Sequence, residues 1–297
     1  MLDKVPMIGF GTYQLSGKSC YDAVVHALKC GYRHIDTASV YGNESIIADA
    51  IESVGISRSE LFIVSKLQPK DSGVTSVAYQ AALDSLSRLR TDYFDLYLIH
   101  WPGRAQVSAL SPDNPGYRLN SWRALEQLYH QGKAKAIGVR LGRKFSKWLL
   151  TSANVILFSN FLERHLTELL TQCSVPPSVN QVEFHPFLDN RELLAYCTLN
   201  SIQVEAYSPL GQADTRLLGH PVIVKIANNQ GRTSAQVLLR WCIQQDVIAL
   251  PRSRNPARIK ENLNVFDFKL DDQEMEEIGH LYESNSKRYC WDPNAVL

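Results

Sequence analysis

Four ionisable side chains stand where apolar runs of this chain end. Asp36 and Tyr41 belong to Gly31-Tyr32-Arg33-His34-Ile35-Asp36-Thr37-Ala38-Ser39-Val40-Tyr41-Gly42-Asn43-Glu44, Lys66 lies near the end of LFIVSKL and His100 at the end of FDLYLIH. An unperturbed tyrosine, with a pKa of about 10, is a poor proton donor near neutrality. A nearby ammonium stabilises the phenolate and lowers that pKa, and a carboxylate paired with the ammonium keeps it charged and in place. Tyr41, Lys66 and Asp36 could form such a relay, with His100 hydrogen-bonding a substrate oxygen or assisting the proton transfer. A proton delivered to oxygen where no metal ligands gather fits reduction of a carbonyl, provided something supplies a hydride. Each residue alone has a plainer reading: Asp36 as a helix cap, Tyr41 as packing, Lys66 as an exposed strand end, His100 as a buried imidazole. Their coincidence points to chemistry.

The elements that must position them alternate. Strands are expected at Tyr32 to Ala38, Leu61 to Leu67, Phe94 to His100, Ala134 to Val139, Val179 to His185, Val204 to Ser208, Val247 to Pro251 and Val265 to Leu270. Helical spacing fills most of the gaps, at Tyr21 to Cys30 (closed by Gly31 as a C-cap), Glu44 to Val54, Ser76 to Leu89, Trp122 to Gln131, Arg191 to Leu199, Val222 to Asn229, Ser234 to Gln245, Arg258 to Asn264 and Asp272 to Ser284. Met7 to Leu15, broken by Gly9 and Gly11, suits either a strand and turn beside a ligand or a terminal hairpin. Regular alternation implies parallel strands joined by helical crossovers, and eight of them imply an α/β fold closed as a (β/α)8 TIM barrel. In such a barrel catalytic residues sit at the strand ends, so Asp36, Tyr41, Lys66 and His100 converge on one mouth.

Composition excludes several other classes. The 297 residues are 45% hydrophobic and 21% charged, enough apolar content for a sizeable core in one barrel of about 250 residues plus loops. A net charge of +1 gives no bulk attraction to nucleic acid or an acidic membrane. The six cysteines are scattered, with no C-x-x-C pair and no histidine at metal-ligand spacing, so they read as reduced thiols and no metal is expected. The first residues lack a signal-peptide pattern and no uncharged apolar run approaches 18 residues, so the expected location is the cytosol. A monomer acting on a small molecule is expected.

Three ordered motifs then carry a resemblance. GYRHIDTASVYGNE, DYFDLYLIHWP (Asp92 to Pro102) and ALPRSRNPARIKENLNVFDF (Ala249 to Phe268) are similar to the signatures of the aldo-keto reductase family, and the likeness spans nearly the whole chain. It implies one barrel domain over 1–297, NADPH extended across the strand ends, and a tetrad of Asp36, Tyr41, Lys66 and His100 with Tyr41 as general acid. It implies cofactor contacts from Thr12 and Asp36, carboxamide ligands at Ser159, Asn160 and Gln181, and a ring at Tyr207 stacking on the nicotinamide. Ser208 and Leu210 fall at the pyrophosphate stretch. Arg252, Ser253, Arg254, Asn255, Arg258, Glu261 and Asn262 fall at the adenosine end, where guanidinium groups suit a 2′-phosphate. There is no Rossmann fingerprint, so the cofactor would be held without one. Tyr13, Val40, His100 and Trp101 are the expected substrate wall, and a short tail after Tyr289-Cys290-Trp291 implies an open site.

The chain departs from the family pattern in four places. The N-terminus shows only one strand of the usual floor hairpin, Arg252 replaces a lysine, and Ala48 replaces a glycine. The fourth strand expected here should run directly into Ser159-Asn160-Phe161, yet Arg140 to Phe158, RLGRKFSKWLLTSANVILF, intervenes. Either Ala136 to Val139 stays in the barrel and residues 140–158 loop out, or Asn154 to Phe158 replaces it; the first is preferred for its family match. A translated intron or splice variant is the leading origin for the insert, a lid or basic docking loop the rival. The expected function is NADPH-dependent reduction of aldehydes and small ketones to alcohols. The alternative is a nucleotide-binding barrel with impaired or no turnover.

Overall fold

Short apolar runs, each followed by a helix with one buried stripe, assemble into a single eight-stranded parallel sheet in strict chain order. The computed structural model describes residues 5–139, 162–290 and 296–297. The strands are β1 (Phe10–Gly11), β2 (His34–Asp36), β3 (Phe62–Leu67), β4 (Phe94–Ile99), β5 (Ala134–Val139), β6 (Ser178–Glu183), β7 (Gln203–Tyr207) and β8 (Ile248–Leu250). Around them lie α1 (Gly17–Cys30), α2 (Glu44–Val54), α3 (Thr75–Leu89), α4 (Asn114–His130), α5 (Glu163–Leu170) and α6 (Arg191–Leu199). There follow α7 (Thr215–Leu218), α8 (Pro221–Gln230), α9 (Ser234–Gln244), α10 (Pro256–Leu263), α11 (Asp272–Gly279) and α12 (Tyr282–Asn285). The expected (β/α)8 barrel is the observed fold.

The circle closes where Ile8 bridges Ala249. The Gly9 and Gly11 N–H groups donate to the carbonyls of Ala249 (2.8 Å) and Pro251 (3.0 Å), and the Ala249 N–H to Met7 (3.0 Å). A Cβ on Gly9 would lie 2.6 Å from the Leu250 side chain and 2.8 Å from the His34 ring, so the seam needs glycine there. The packed apolar layer includes Phe10, Tyr32, Ile35, Ile63, Trp122, Val182 and Ile248, all buried. Gly31 ends α1 as expected, at φ 110°, with its N–H turned back on the last carbonyls of the helix.

One open alternative is decided and three expectations change. Met7 to Leu15 contributes the first barrel strand, with Phe10 beside Ile35 and Gly11 beside Asp36, rather than a terminal hairpin. Val265 to Leu270 is not a strand; Val265 and Leu270 are buried anchors of an irregular link, and Phe266 is largely exposed. The insert therefore follows the fifth strand, not the fourth. Helix α4 begins at Asn114, eight residues before the expected Trp122, because Pro115 sits in its first turn, where a missing N–H costs nothing. Ala134–Val139 holds the slot between β4 and β6, so that stretch stays in the barrel. Residues 140–158, Asn154 to Phe158 among them, lie outside the described residues.

Candidate active site

Parallel register brings three of the four chemical side chains to one end of the barrel. Asp36 ends β2, Lys66 is the penultimate residue of β3 beside Leu98, and His100 follows β4 with its backbone N–H on the Leu67 carbonyl at 3.1 Å. Lys66 Nζ donates to Asp36 Oδ2 at 2.7 Å and to the Thr37 carbonyl at 2.8 Å. Both side chains of the pair are almost fully buried. A buried ion pair holds only when its remaining hydrogen-bonding capacity is met, and here the Thr37 carbonyl and the Gln181 amide, 2.8 Å from Asp36 Oδ2, meet it.

Tyr41 comes from the loop. It closes a 3-10 turn, Ser39–Tyr41, which the Ser39 hydroxyl ties to the Lys66 carbonyl at 2.9 Å. Asn43 secures the same loop by donating to the carbonyls of Thr12 (3.0 Å) and Leu15 (3.1 Å) while accepting from the Thr37 hydroxyl (2.7 Å). Thr12 donates its own hydroxyl to the Asp36 carbonyl at 2.9 Å. The Tyr41 ring then lies 5.3 Å from Lys66 Nζ, 5.6 Å edge-on from the His100 ring and 5.1 Å from the Tyr13 ring.

The electrostatics depart from expectation at Tyr41. Burial first, then the Asp36 carboxylate, hold its phenol well above the ordinary value instead of below it. Lys66 spends its hydrogen bonds on Asp36 and Thr37, and its charge, 5.3 Å from the Tyr41 ring, does not outweigh burial and Asp36. Tyr41 is thus a fully protonated phenol at neutral pH. Burial, aided by Lys66, pushes His100 down to about 3, leaving a neutral imidazole whose buried Nδ1 has no hydrogen-bond partner among the described residues. The site can hold a proton on a phenol, stabilise the phenolate once it forms, and orient an oxygen with a neutral ring.

The residues expected to form a substrate wall differ in exposure. Tyr13 and Val40 are 54% and 53% exposed, and His100 and Trp101 are half-buried behind them. On the far side Gln181 lies in β6, and Tyr207 ends β7. Ser208 follows in a left-handed conformation, φ 51°, its hydroxyl 3.8 Å from Cys290 Sγ, and Leu210 is half-buried just beyond. After β8, Arg252, Arg254, Asn255 and Arg258 are exposed and Ser253 is half-buried. Asn255 caps α10 through its side-chain oxygen, and the Arg254 guanidinium donates to the Gln14 carbonyl at 2.6 Å. Partial desolvation, and after it the adjacent Arg254 charge, hold Arg252 below its ordinary range, and an anion would relieve the second of these. Glu261 accepts from the Thr233 hydroxyl at 2.8 Å, and Asn262 is buried beside it. Ser159 and Asn160 lie outside the described residues.

Sequence reasoning missed two participants. The Thr37 carbonyl, which holds Lys66, has no side-chain signature. Glu205, fully buried in β7 and 2.9 Å from Gln181 Nε2, had one: a carboxylate inside the apolar run VEAYS.

The comparisons with known proteins bear on the family and the fold. The Aldo/keto reductase family model matches residues 7–283. Glyoxal reductase of Bacillus subtilis (strain 168) is 41% identical over 99% of this chain and 94% of its own length. Aldo-keto reductase family 1 member A1 of Mus musculus is 38% identical over 94% and 86%. Among solved structures, MGS-M4, an aldo-keto reductase enzyme from a Medee basin deep-sea metagenome library, superposes with a TM-score of 0.82 at 38% identity, covering 98% of this chain and 96% of that one. With a family model over residues 7–283 and relatives of about 40% identity along nearly its whole length, the chain belongs to the aldo/keto reductase family.

Proposed function

We propose that the protein reduces aldehydes and small ketones to alcohols with NADPH, using Tyr41 as the general acid. The observation that carries this reading is the contact set of Lys66 with Asp36 and Thr37 under the Tyr41 ring, with His100 edge-on to the same ring. The residues present fit the cofactor: Gln181 on β6 and Tyr207 at the end of β7 for the nicotinamide, Ser208 and Leu210 for the pyrophosphate, and Arg252, Arg254 and Arg258 for a 2′-phosphate. When bound, NADPH supplies a hydride to the carbonyl carbon.

The side chains handle the proton. Tyr41 gives its phenolic proton to the carbonyl oxygen as negative charge develops there. Lys66, kept charged by Asp36, stabilises the phenolate, which solvent then reprotonates. Neutral His100 orients the oxygen by hydrogen bonding, and Tyr13, Val40 and Trp101 exclude water from one side of the substrate. A positioned acid of this kind contributes about 10² to 10⁴ in rate. The relative named glyoxal reductase makes glyoxal the first substrate to assay.

A second reading, a barrel that binds nucleotide with little turnover, is favoured by one observation: among the described residues β5 pairs with β6 only at Gly138 and Val139, both opposite Ser178, with a register shift between them. One experiment separates the two. NADPH is titrated by fluorescence and its oxidation by glyoxal followed, for the chain with and without residues 140–158. Oxidation by either form supports the reductase. Binding without oxidation in both would leave the second reading standing.

A further inference from the structure

Gln181 Nε2 lies 2.8 Å from Asp36 Oδ2 and 2.9 Å from Glu205 Oε2. An amide nitrogen carries two N–H groups, so these contacts occupy both. The opposite flip would aim the amide oxygen at two carboxylates, which electrostatics forbids. The arrangement is built by the sheet: Gln181 and Glu205 are register partners on β6 and β7, and Tyr207, two residues on, shares the face of β7 that bears Glu205. Glu205 is fully buried, and His34 Nε2 approaches its other oxygen at 3.9 Å. Asp36 alone would leave one N–H of Gln181 available to a ligand.

We propose that Glu205 is a positioning residue that makes Gln181 purely a hydrogen-bond acceptor towards the carboxamide NH2 of a bound nicotinamide. The inference rests on the NADPH reading above. Without Glu205 the freed N–H could donate instead, and the site would stop distinguishing a carboxamide from a group that only accepts.

Dissociation constants are measured by fluorescence titration on the full chain for three ligands: NADPH, its 3-acetylpyridine analogue, in which a methyl replaces the carboxamide NH2, and 2′-phospho-ADP-ribose, which lacks the nicotinamide. The wild type should favour NADPH over the analogue by about tenfold, one hydrogen bond. Glu205→Leu, an apolar replacement of similar size, should reduce that preference to about twofold while leaving the fragment's affinity unchanged. Glu205→Gln, which can still accept from Gln181, should keep the wild-type preference. Equal wild-type affinity for NADPH and the analogue would overturn the inference, whether or not Glu205→Leu folds, and so would an unchanged preference in a folded Glu205→Leu. If the wild type binds NADPH no more tightly than the fragment, the nicotinamide reading itself fails, before any variant is compared.

Discussion

On one side of the mouth, β1 to β4 run in unbroken parallel register, Gly11 beside Asp36, Asp36 beside Val64 and Lys66 beside Leu98, and each hands a side chain to the next. Across the barrel, β6 and β7 pair just as regularly from Val179 to Glu183, but among the described residues β5 pairs with β6 only through its last two, against Ser178. Asp36, Tyr41, Lys66 and His100 lie on the first side and Gln181 on the second, while Ser159 and Asn160, which follow the insert in the sequence, lie outside the described residues. Tyr41 is placed by contacts from neighbouring strands, whereas Gln181 draws on Asp36, 145 positions away in the chain.

Tyr41→Phe tests the first side most sharply. Loss of the acid should lower kcat/KM for glyoxal reduction by about a thousandfold, within the range for a positioned acid, with the NADPH dissociation constant unchanged. Turnover near wild type would remove Tyr41 from its role and leave the comparison without its active half. Lys66→Met leaves Asp36 buried with only the Gln181 amide, so unfolding stability in urea should fall by about 3–5 kcal/mol, the usual result of breaking a buried pair. Stability within 1 kcal/mol of wild type, on the scale of an exposed pair, would mean solvent reaches the pair.

The second side is tested by deleting residues 140–158, which joins Val139 directly to Ser159-Asn160. NADPH binding should tighten about tenfold, roughly the effect of one good hydrogen bond, and Tyr41→Phe should cost the same factor in either form. Weaker binding after deletion would make the insert part of the cofactor seat.

A pH experiment compares the packing of the two sides. Burial pushes His34, on β2, down to about 4, and pushes His165, on α5, down to about 3 with help from Arg118. Both are fully buried. His165 accepts from the Leu162 N–H at 3.1 Å through Nδ1, which leaves Nε2 to donate to the Val296 carbonyl at 3.0 Å. Below pH 6.5 the unfolded chain takes up a proton that each folded ring refuses, so stability falls as pH drops towards the folded values. Each ring should remove about 1.4 kcal/mol per pH unit in that window. His165→Gln should remove its share of the slope measured by urea unfolding between pH 6.5 and 5. If the slope does not change, the ring is reached by solvent and the second side is looser than the first.

Much of this was legible in the sequence because strand-end residues and helix periods are local properties. Asp36, Lys66 and His100 each follow an apolar run, and Glu44 to Val54 and Arg191 to Leu199 form helices with the expected bounds. The failures were non-local. Met7 to Leu15 reads equally as a strand and turn or as a terminal hairpin, and only Ile35 and Asp36 lying beside Phe10 and Gly11 decide for the strand. Val265 to Leu270 has strand composition but no strand to pair with, so its buried residues anchor a link instead. Helix α5 follows the insert and carried no expectation.

The sequence by itself determined the alternation that makes a barrel, the four groups at its mouth and the family, because side-chain type and spacing along the chain are enough for those. Tertiary structure decided the charge states and the orientations. Tyr41 is raised rather than lowered because burial and Asp36 outweigh a lysine whose hydrogen bonds go to Asp36 and Thr37. Gln181 points its nitrogen at two carboxylates because the register sets Glu205 beside it and the barrel brings Asp36 across to meet them. Distances between residues 145 positions apart are fixed only when the ring closes.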